Sequence, residues 1–363
     1  MGFKCGIVGL PNVGKSTLFN CLTSGHIAAE NYPFCTIEPN VGMVPVPDPR
    51  LDELAAIARP QKVIPTMMQF VDIAGLVAGA SRGEGLGNKF LAHIRETDAI
   101  AHIVRCFDDD DVTHVAGRVD PVDDIETIDT ELVLSDLETA EQALERSVRQ
   151  TRSGDKQAQR LADVLERVVA HLGGGRPLRT LTLEADEQVE LGSWQFITAK
   201  PVLYVANVDD STAADNPRVG AVRERAAADG AEVVVLCAAL EAELAELSPG
   251  EQQEFLADLG QTEPGLHRLI RAGYALLDLL TFFTAGPKEV RAWTVRHGST
   301  APQAAGRIHT DFEKGFIRAE VTRYEDFIAC GGESGAKAAG KLRLEGRDYR
   351  VAEGDVMHFR FNV

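Results

Sequence analysis

The sequence is poor in the features that would take it out of a reducing, aqueous compartment. Its six cysteines (Cys5, Cys21, Cys35, Cys106, Cys237, Cys330) are scattered, and no two form a C-x-x-C. That spacing argues against a zinc site or a disulfide framework. No apolar run approaches the roughly 18 residues of a membrane-spanning helix. A cleaved leader is not expected, because the first residues already belong to a strand with chemistry at its end. Position 6 is Gly6 rather than Ser or Thr, so the N-myristoylation pattern fails too. Cytoplasm is the expected location. Basic residues are also short: 37 Lys and Arg against 55 Asp and Glu, a net charge of −18. An acidic body is repelled by nucleic acid. The deficit is uneven, since Lys288 to Val363 carries +2 and the remainder −20, so the C-terminal module is the better candidate for a ribonucleoprotein surface. A chain of 363 residues, 44% hydrophobic and 25% charged, is that of a globular protein with two or three domains.

What is present begins at the amino end. Cys5 to Leu10 predicts a short apolar strand, and Gly9-Leu10-Pro11-Asn12-Val13-Gly14-Lys15-Ser16 follows, with a helix expected from Lys15. This is G-x-x-x-x-G-K-[ST] between a strand and a helix, the context in which the motif cradles phosphate. The glycines let successive N–H groups of Asn12, Val13, Gly14, Lys15, Ser16 and Thr17 converge on phosphate oxygens. Lys15 is expected to reach the β- and γ-phosphates and the Ser16 hydroxyl to ligate Mg²⁺, with the helix dipole adding positive potential.

Further along, Asn31 to Ile37 predicts a mobile loop whose Thr36 hydroxyl is the candidate second ligand of Mg²⁺. Met67 to Asp72 predicts a buried strand ending in a carboxylate, a holder of Mg²⁺ through water; Gly75 then offers its N–H to the γ-phosphate. Leu76 stands where a Ras-like GTPase has its water-orienting Gln, and an aliphatic side chain cannot do that work. Ala99 to Phe107 is another buried strand, and beyond its acidic end lies His114, a candidate to orient water in place of Leu76 or else a packing histidine. From Ile128 to Leu172 two apolar stripes at helical spacing (Leu132, Leu137, Ala140, Leu144, Val148, then Leu161, Leu165, Val168, Val169, Leu172) predict an antiparallel helical hairpin stopped at Gly173-Gly174-Gly175. Strands at Lys200–Ala206 and Val233–Leu236 resume the α/β rhythm.

The first of these two strands ends in Asn207-Val208-Asp209-Asp210, where GTPases carry N-K-x-D. A carboxylate at Asp210 suits the two N–H donors of guanine, whereas Val208 replaces the Lys whose stem covers the base, so the guanine code is half kept. Strand-like stretches at Arg291–Val295, Phe316–Val321, Tyr349–Val351 and Val356–Phe361 surround a helix at Ala301–His309, predicting a compact α+β binding module.

With these stretches assembled, the chain resembles the YchF subfamily of Obg-like ATPases over essentially its whole length. The resemblance rests on Gly9 to Thr17, Asn31 to Pro39, Asp72 to Val77 and Gly83 to Asn88. It rests also on Thr284-Ala285-Gly286, Lys288 to Trp293 and Gly306 to Ile317. It implies an α/β P-loop NTPase of the G-domain type (1–280), an inserted helical hairpin (128–198) and a C-terminal TGS domain of β-grasp fold (281–363). It implies ATP preferred over GTP, slow hydrolysis, and association with the ribosome and its RNA rather than with DNA or a membrane. It implies Mg²⁺ at Ser16 and Thr36, potassium near Asn12, base contacts at Asn207, Val208 and Asp210, and His114 in place of the lost Gln. The family usually ends its base-reading segment in Glu, one methylene longer than Asp210. Two other readings stand beside the ATPase. One is a GTPase of the same fold, favoured by Asp210. The other is a binding adaptor for which nucleotide is a structural ligand, favoured by Leu76. Cys35, next to Thr36, is a candidate redox-sensitive position.

Overall fold

The structure is a computed structural model that describes residues 3–24, 40–73, 86–109, 112, 114–115, 117–151, 155–209 and 216–362. Thr36, Gly75 and Asp210, and with them Cys35 and Leu76, lie outside the described residues. In chain order the elements are β1 (Lys4–Val8), α1 (Lys15–Ser24), β2 (Val41–Pro45), α2 (Arg50–Ala58), β3 (Lys62–Ile64) and β4 (Met67–Asp72). Next come α3 (Leu86–Arg95), β5 (Ala99–Arg105), α4 (Pro121–Thr151), α5 (Lys156–Gly173), α6 (Ala185–Leu191), β6 (Val202–Asn207), α7 (Pro217–Asp229) and β7 (Glu232–Leu236). The rest are α8 (Ala238–Glu246), α9 (Pro249–Asp258), α10 (Gly265–Leu276), β8 (Leu279–Ala285), β9 (Glu289–Arg296), α11 (Ala301–Ile308), α12 (Thr310–Lys314), β10 (Phe316–Thr322), α13 (Tyr324–Ala329), α14 (Glu333–Ala338), β11 (Arg343–Glu345) and β12 (Val356–Phe361).

These elements form two compact units. The first, Met1–Val44 with Gln69–Gly273, holds a six-stranded sheet in the order β2-β4-β1-β5-β6-β7. β1 pairs parallel with β4 and β5, β5 with β6, and β6 with β7. The central strands are buried on both faces, which is why they read as continuous apolar runs. Parallel order 4-1-5-6 puts the loops after β1, β4, β5 and β6 on one edge, the edge at which open α/β sheets bind ligands.

α4 and α5 are the expected hairpin, but α4 starts at Pro121, ahead of Ile128. The first turns of α4 bury Asp124 and Asp129 among the aliphatic Ile125 and Ile128, which interrupts the apolar pattern there. Asp155 caps α5 by accepting from the N–H groups of Gln157 and Ala158 at 2.9 and 3.3 Å, and Gly175 takes a left-handed conformation beyond its end. Val133, Ala140, Ala143, Val164, Leu165, Val168 and Leu172 fill the hairpin, together with Leu178, Leu191 and Phe196 from the returning chain. Val148, expected in the stripe, is instead exposed near the tip.

The second unit comprises Pro45–Met68 and Tyr274–Val363. The segment Pro45–Met68 was expected within the 1–280 domain, and here it belongs with the C-terminal module. β3 adds parallel to β9, extending a mixed sheet of order β11-β10-β12-β8-β9-β3. Leu51 and Leu54 of α2 pack with Phe283, Val290, Phe327 and Val356 on one face, while Ala301, Ala304 and Ala305 of α11 cover Phe282, Ala319 and Phe359 on the other. Tyr349–Val351 is not a strand; it contributes a single antiparallel bridge between Arg350 and Thr300.

Candidate functional site

Lys15 opens α1 directly behind β1, and Leu18 N–H donates to the Gly14 carbonyl at 3.0 Å, the first bond of that helix. Two glycines of the motif are sterically fixed. A Cβ on Gly9 would stand 2.5 Å from the Ile103 carbonyl oxygen, and one on Gly14, whose φ is +96°, would stand 2.4 Å from Asn207 Nδ2. Asn12 takes a left-handed φ of 64°, which lets the loop turn its amides to one side. Val13 is fully buried, so only its main chain is placed for phosphate, whereas Asn12, Ser16 and Thr17 are exposed at the mouth of the turn.

The Lys15 side chain is buried, and its ammonium donates to the Leu10 carbonyl at 2.6 Å. Burial pushes its pKa down to about 8, with the carboxylate of Asp72 opposing that shift. Asp72 ends β4 beside β1, in register with Ile7, and burial raises its own pKa against the pull of Lys15. One half-buried carboxylate, one buried ammonium and an exposed helix-start hydroxyl suit a phosphate-bound divalent cation of the hard, oxygen-seeking kind.

The Asn207 amide is anchored within the protein: Nδ2 donates to the Val13 carbonyl at 2.9 Å and Oδ1 accepts from the Ala238 N–H at 2.9 Å. It therefore braces the phosphate loop against the turn between β7 and α8. Val208 is buried in the core, 2% exposed. The Cys237–Ala238 turn is a site element that the sequence analysis missed, since nothing in Cys-Ala-Ala signals a bond to Asn207; Cys237 caps α8 through its sulfur, 3.5 Å from Leu240 N.

His114 is 6% exposed, and its Nε2 lies 3.0 Å from Asp124 Oδ2 in the first turn of α4. Burial raises the Asp124 pKa while the bond to His114 lowers it. A carboxylate on one ring nitrogen fixes the orientation of the imidazole. The histidine is thus neither a surface residue nor a purely apolar packing one. Asp124 was also missed, because the helix was expected only from Ile128 and starts at Pro121.

Among the described residues one cluster could hold a metal by spacing alone: Glu320, Glu333 and His358 in the second unit. Arg360 donates to both Glu320 oxygens at 3.1 and 3.0 Å, so the cluster is an ion-pair network already supplied with cations.

A family model described as a 50S ribosome-binding GTPase matches residues 4–136. Another, named YchF-GTPase_C and described as a protein of unknown function, matches 279–362. A Haemophilus influenzae protein named ribosome-binding ATPase YchF is 63% identical over 363 residues, covering all of both chains. This chain belongs to the YchF family. The Bacillus subtilis YchF of the same description is 53% identical, again across both full chains. The solved structure titled as the Schizosaccharomyces pombe YchF GTPase is 37% identical and superposes with a TM-score of 0.89, covering 99% of this chain and 98% of that one. YchF membership bears out the resemblance drawn from the motifs and the G-domain fold with its C-terminal YchF module.

Proposed function

We propose that this chain is a Mg²⁺-dependent ATPase that hydrolyses slowly, works at the ribosome in the cytoplasm, and uses its nucleotide state as a switch. The observation that carries the reading is the Lys15 ammonium, buried beneath a loop whose glycines leave no room for side chains. Such a group gains most when a polyphosphate arrives, because the low-dielectric setting that lowers its pKa also strengthens its attraction to an anion. Ser16 would hold Mg²⁺ directly and Asp72 through water, with Thr36 as the further ligand when the γ-phosphate is present. When bound, the ion supplies charge neutralisation on the phosphate oxygens. The N–H groups of Asn12 to Thr17 orient the triphosphate, Gly75 contacts its end, and His114, held by Asp124, orients the attacking water. Asn207 braces the loop and, with Val208 and Asp210, makes up the base-contacting segment. Potassium beside Asn12 and ribosomal RNA as the surface contacted belong to the same reading.

Asp210 favours a second reading, a GTPase, since guanine offers the donors that a carboxylate accepts. Isothermal titration with ATP and GTP in Mg²⁺, with and without ribosomes, separates the two. ATP is expected to bind more tightly, and ATP rather than ADP to change ribosome affinity. GTP binding tenfold tighter than ATP, about 1.4 kcal/mol, overturns the choice of base.

A further inference from the structure

Arg105, the last residue of β5, is 1% exposed, the largest of the fully buried side chains among the described residues. Its donors end on main-chain carbonyls of the loop that follows: Nε on Phe107 at 3.0 Å, Nη2 on Asp109 at 3.2 Å, and Nη1 on Val112 at 2.8 Å. The guanidinium also stacks on the Phe107 ring, 4.5 Å from its centroid. Burying a cation against neutral acceptors is costly, so a fold keeps one only where its fork geometry is needed. Here the fork gathers three carbonyls of one short stretch onto a single group, and the third lies two residues before His114.

The same loop is tied from outside by the start of α7. Asn216 Nδ2 donates to the Cys106 carbonyl at 2.8 Å, and Arg218 donates to both oxygens of Asp108 at 2.9 Å. Asp108 is largely exposed, so this outer clasp contributes little to stability and acts on loop position.

We propose that Arg105 is a positioning residue for hydrolysis, holding the carbonyls of Phe107, Asp109 and Val112 so that His114 meets Asp124 at one fixed place. The inference rests on His114 as the water-orienting residue. Lys cannot replace Arg105, because one ammonium on a flexible stem does not reproduce a planar fork.

The test uses the full chain and four proteins: Arg105→Lys, His114→Ala, the double variant and wild type. Steady-state ATP hydrolysis is measured with the Kd for ATP. Arg105→Lys is expected to lower kcat at least tenfold, toward the His114→Ala level, with Kd within twofold of wild type. The double variant is expected to be no slower than His114→Ala. An Arg105→Lys loss that adds in full to that of His114→Ala overturns the positioning role, as does a wild-type kcat for Arg105→Lys while His114→Ala is slow. A wild-type kcat for His114→Ala sinks the underlying reading of the histidine instead, and is seen without any Arg105 variant. If Arg105→Lys does not fold, Asp108→Ala enters the same cycle. A smaller kcat loss, absent from the His114→Ala background, supports the proposal, and an unchanged kcat or a fully additive loss overturns it.

Discussion

The first unit buries two kinds of arginine, and the contrast between them separates scaffold from site. Arg179 donates to Asp129 at 3.2 Å and to Asp229 at 2.8 Å, and Arg225 closes the same group with bonds of 2.9 and 2.7 Å to those carboxylates. Tyr204 joins it, donating to Asp229 at 3.1 Å. Two cations meet two anions, and the cluster joins α4, α7 and β6 to the turn at Leu178–Thr180. Arg105, like Lys15, rests on main-chain carbonyls. Charge that holds helices together is neutralised by other side chains. At the loop edge of the sheet, Lys15 and Arg105 donate their hydrogen bonds to main-chain dipoles, and the carboxylate of Asp72 acts on Lys15 only through space. That is the arrangement an anionic ligand and a charged transition state require.

Three measurements can break or sharpen this contrast. The largest effect is expected for Arg179→Met, which leaves Asp129 and Asp229 short of a buried partner. Denaturant unfolding is expected to show a loss of about 3–5 kcal/mol, with ATP affinity of the folded fraction unchanged. A comparable loss of ATP affinity would erase the distinction between the clusters. Next comes Lys15→Met, which removes a cation that holds little together. Hydrolysis is expected to fall on the order of 100-fold or more, the scale of deleting one transition-state donor, with stability equal to or above that of wild type. Hydrolysis at the wild-type rate would remove the mechanism. The smallest effect is a pH dependence. The Lys15 pKa sits near 8 in the folded protein against 10.5 when solvated, so from about pH 8 to 10.5 the nucleotide-free fold holds fewer protons than the unfolded chain. Stability from this group therefore rises with pH across that window, while its cost is present in full below pH 8. A bound polyphosphate raises the pKa again. ATP binding above pH 8 is thus expected to take up a proton, and its Kd to weaken by up to about tenfold per pH unit. Calorimetry in buffers of different ionisation enthalpy measures the uptake, which Lys15→Met should abolish.

The phosphate loop was legible because its demands are local. Gly9, Gly14 and Lys15 each answer to neighbours or to one carbonyl, and the strands beside them are long, apolar and buried. The predicted strands of the first unit agree with the observed ones to within two residues at each end. What escaped was set by distant partners. The three residues of β3 show no periodicity, and become a strand only because β9 lies alongside, with Lys62 opposite Glu289. Arg105 fell inside the predicted strand Ala99–Phe107, and no spacing announces three carbonyls folding back onto it. Asn207 fitted a base-reading pattern, and its bonds to Val13 and Ala238, far away in the chain, are a bracing part that no local pattern shows.

The detour through Pro45–Met68 has a consequence for how the molecule is made. That stretch leaves the translating ribosome early, yet Phe283, Val290 and Val356, which Leu51 and Leu54 need as neighbours, are synthesised near the end. Until then an amphipathic segment waits with its oily side uncovered. A shortened gene product stopping at Gly273 would carry that segment permanently stranded, and would be sticky for reasons unrelated to nucleotide.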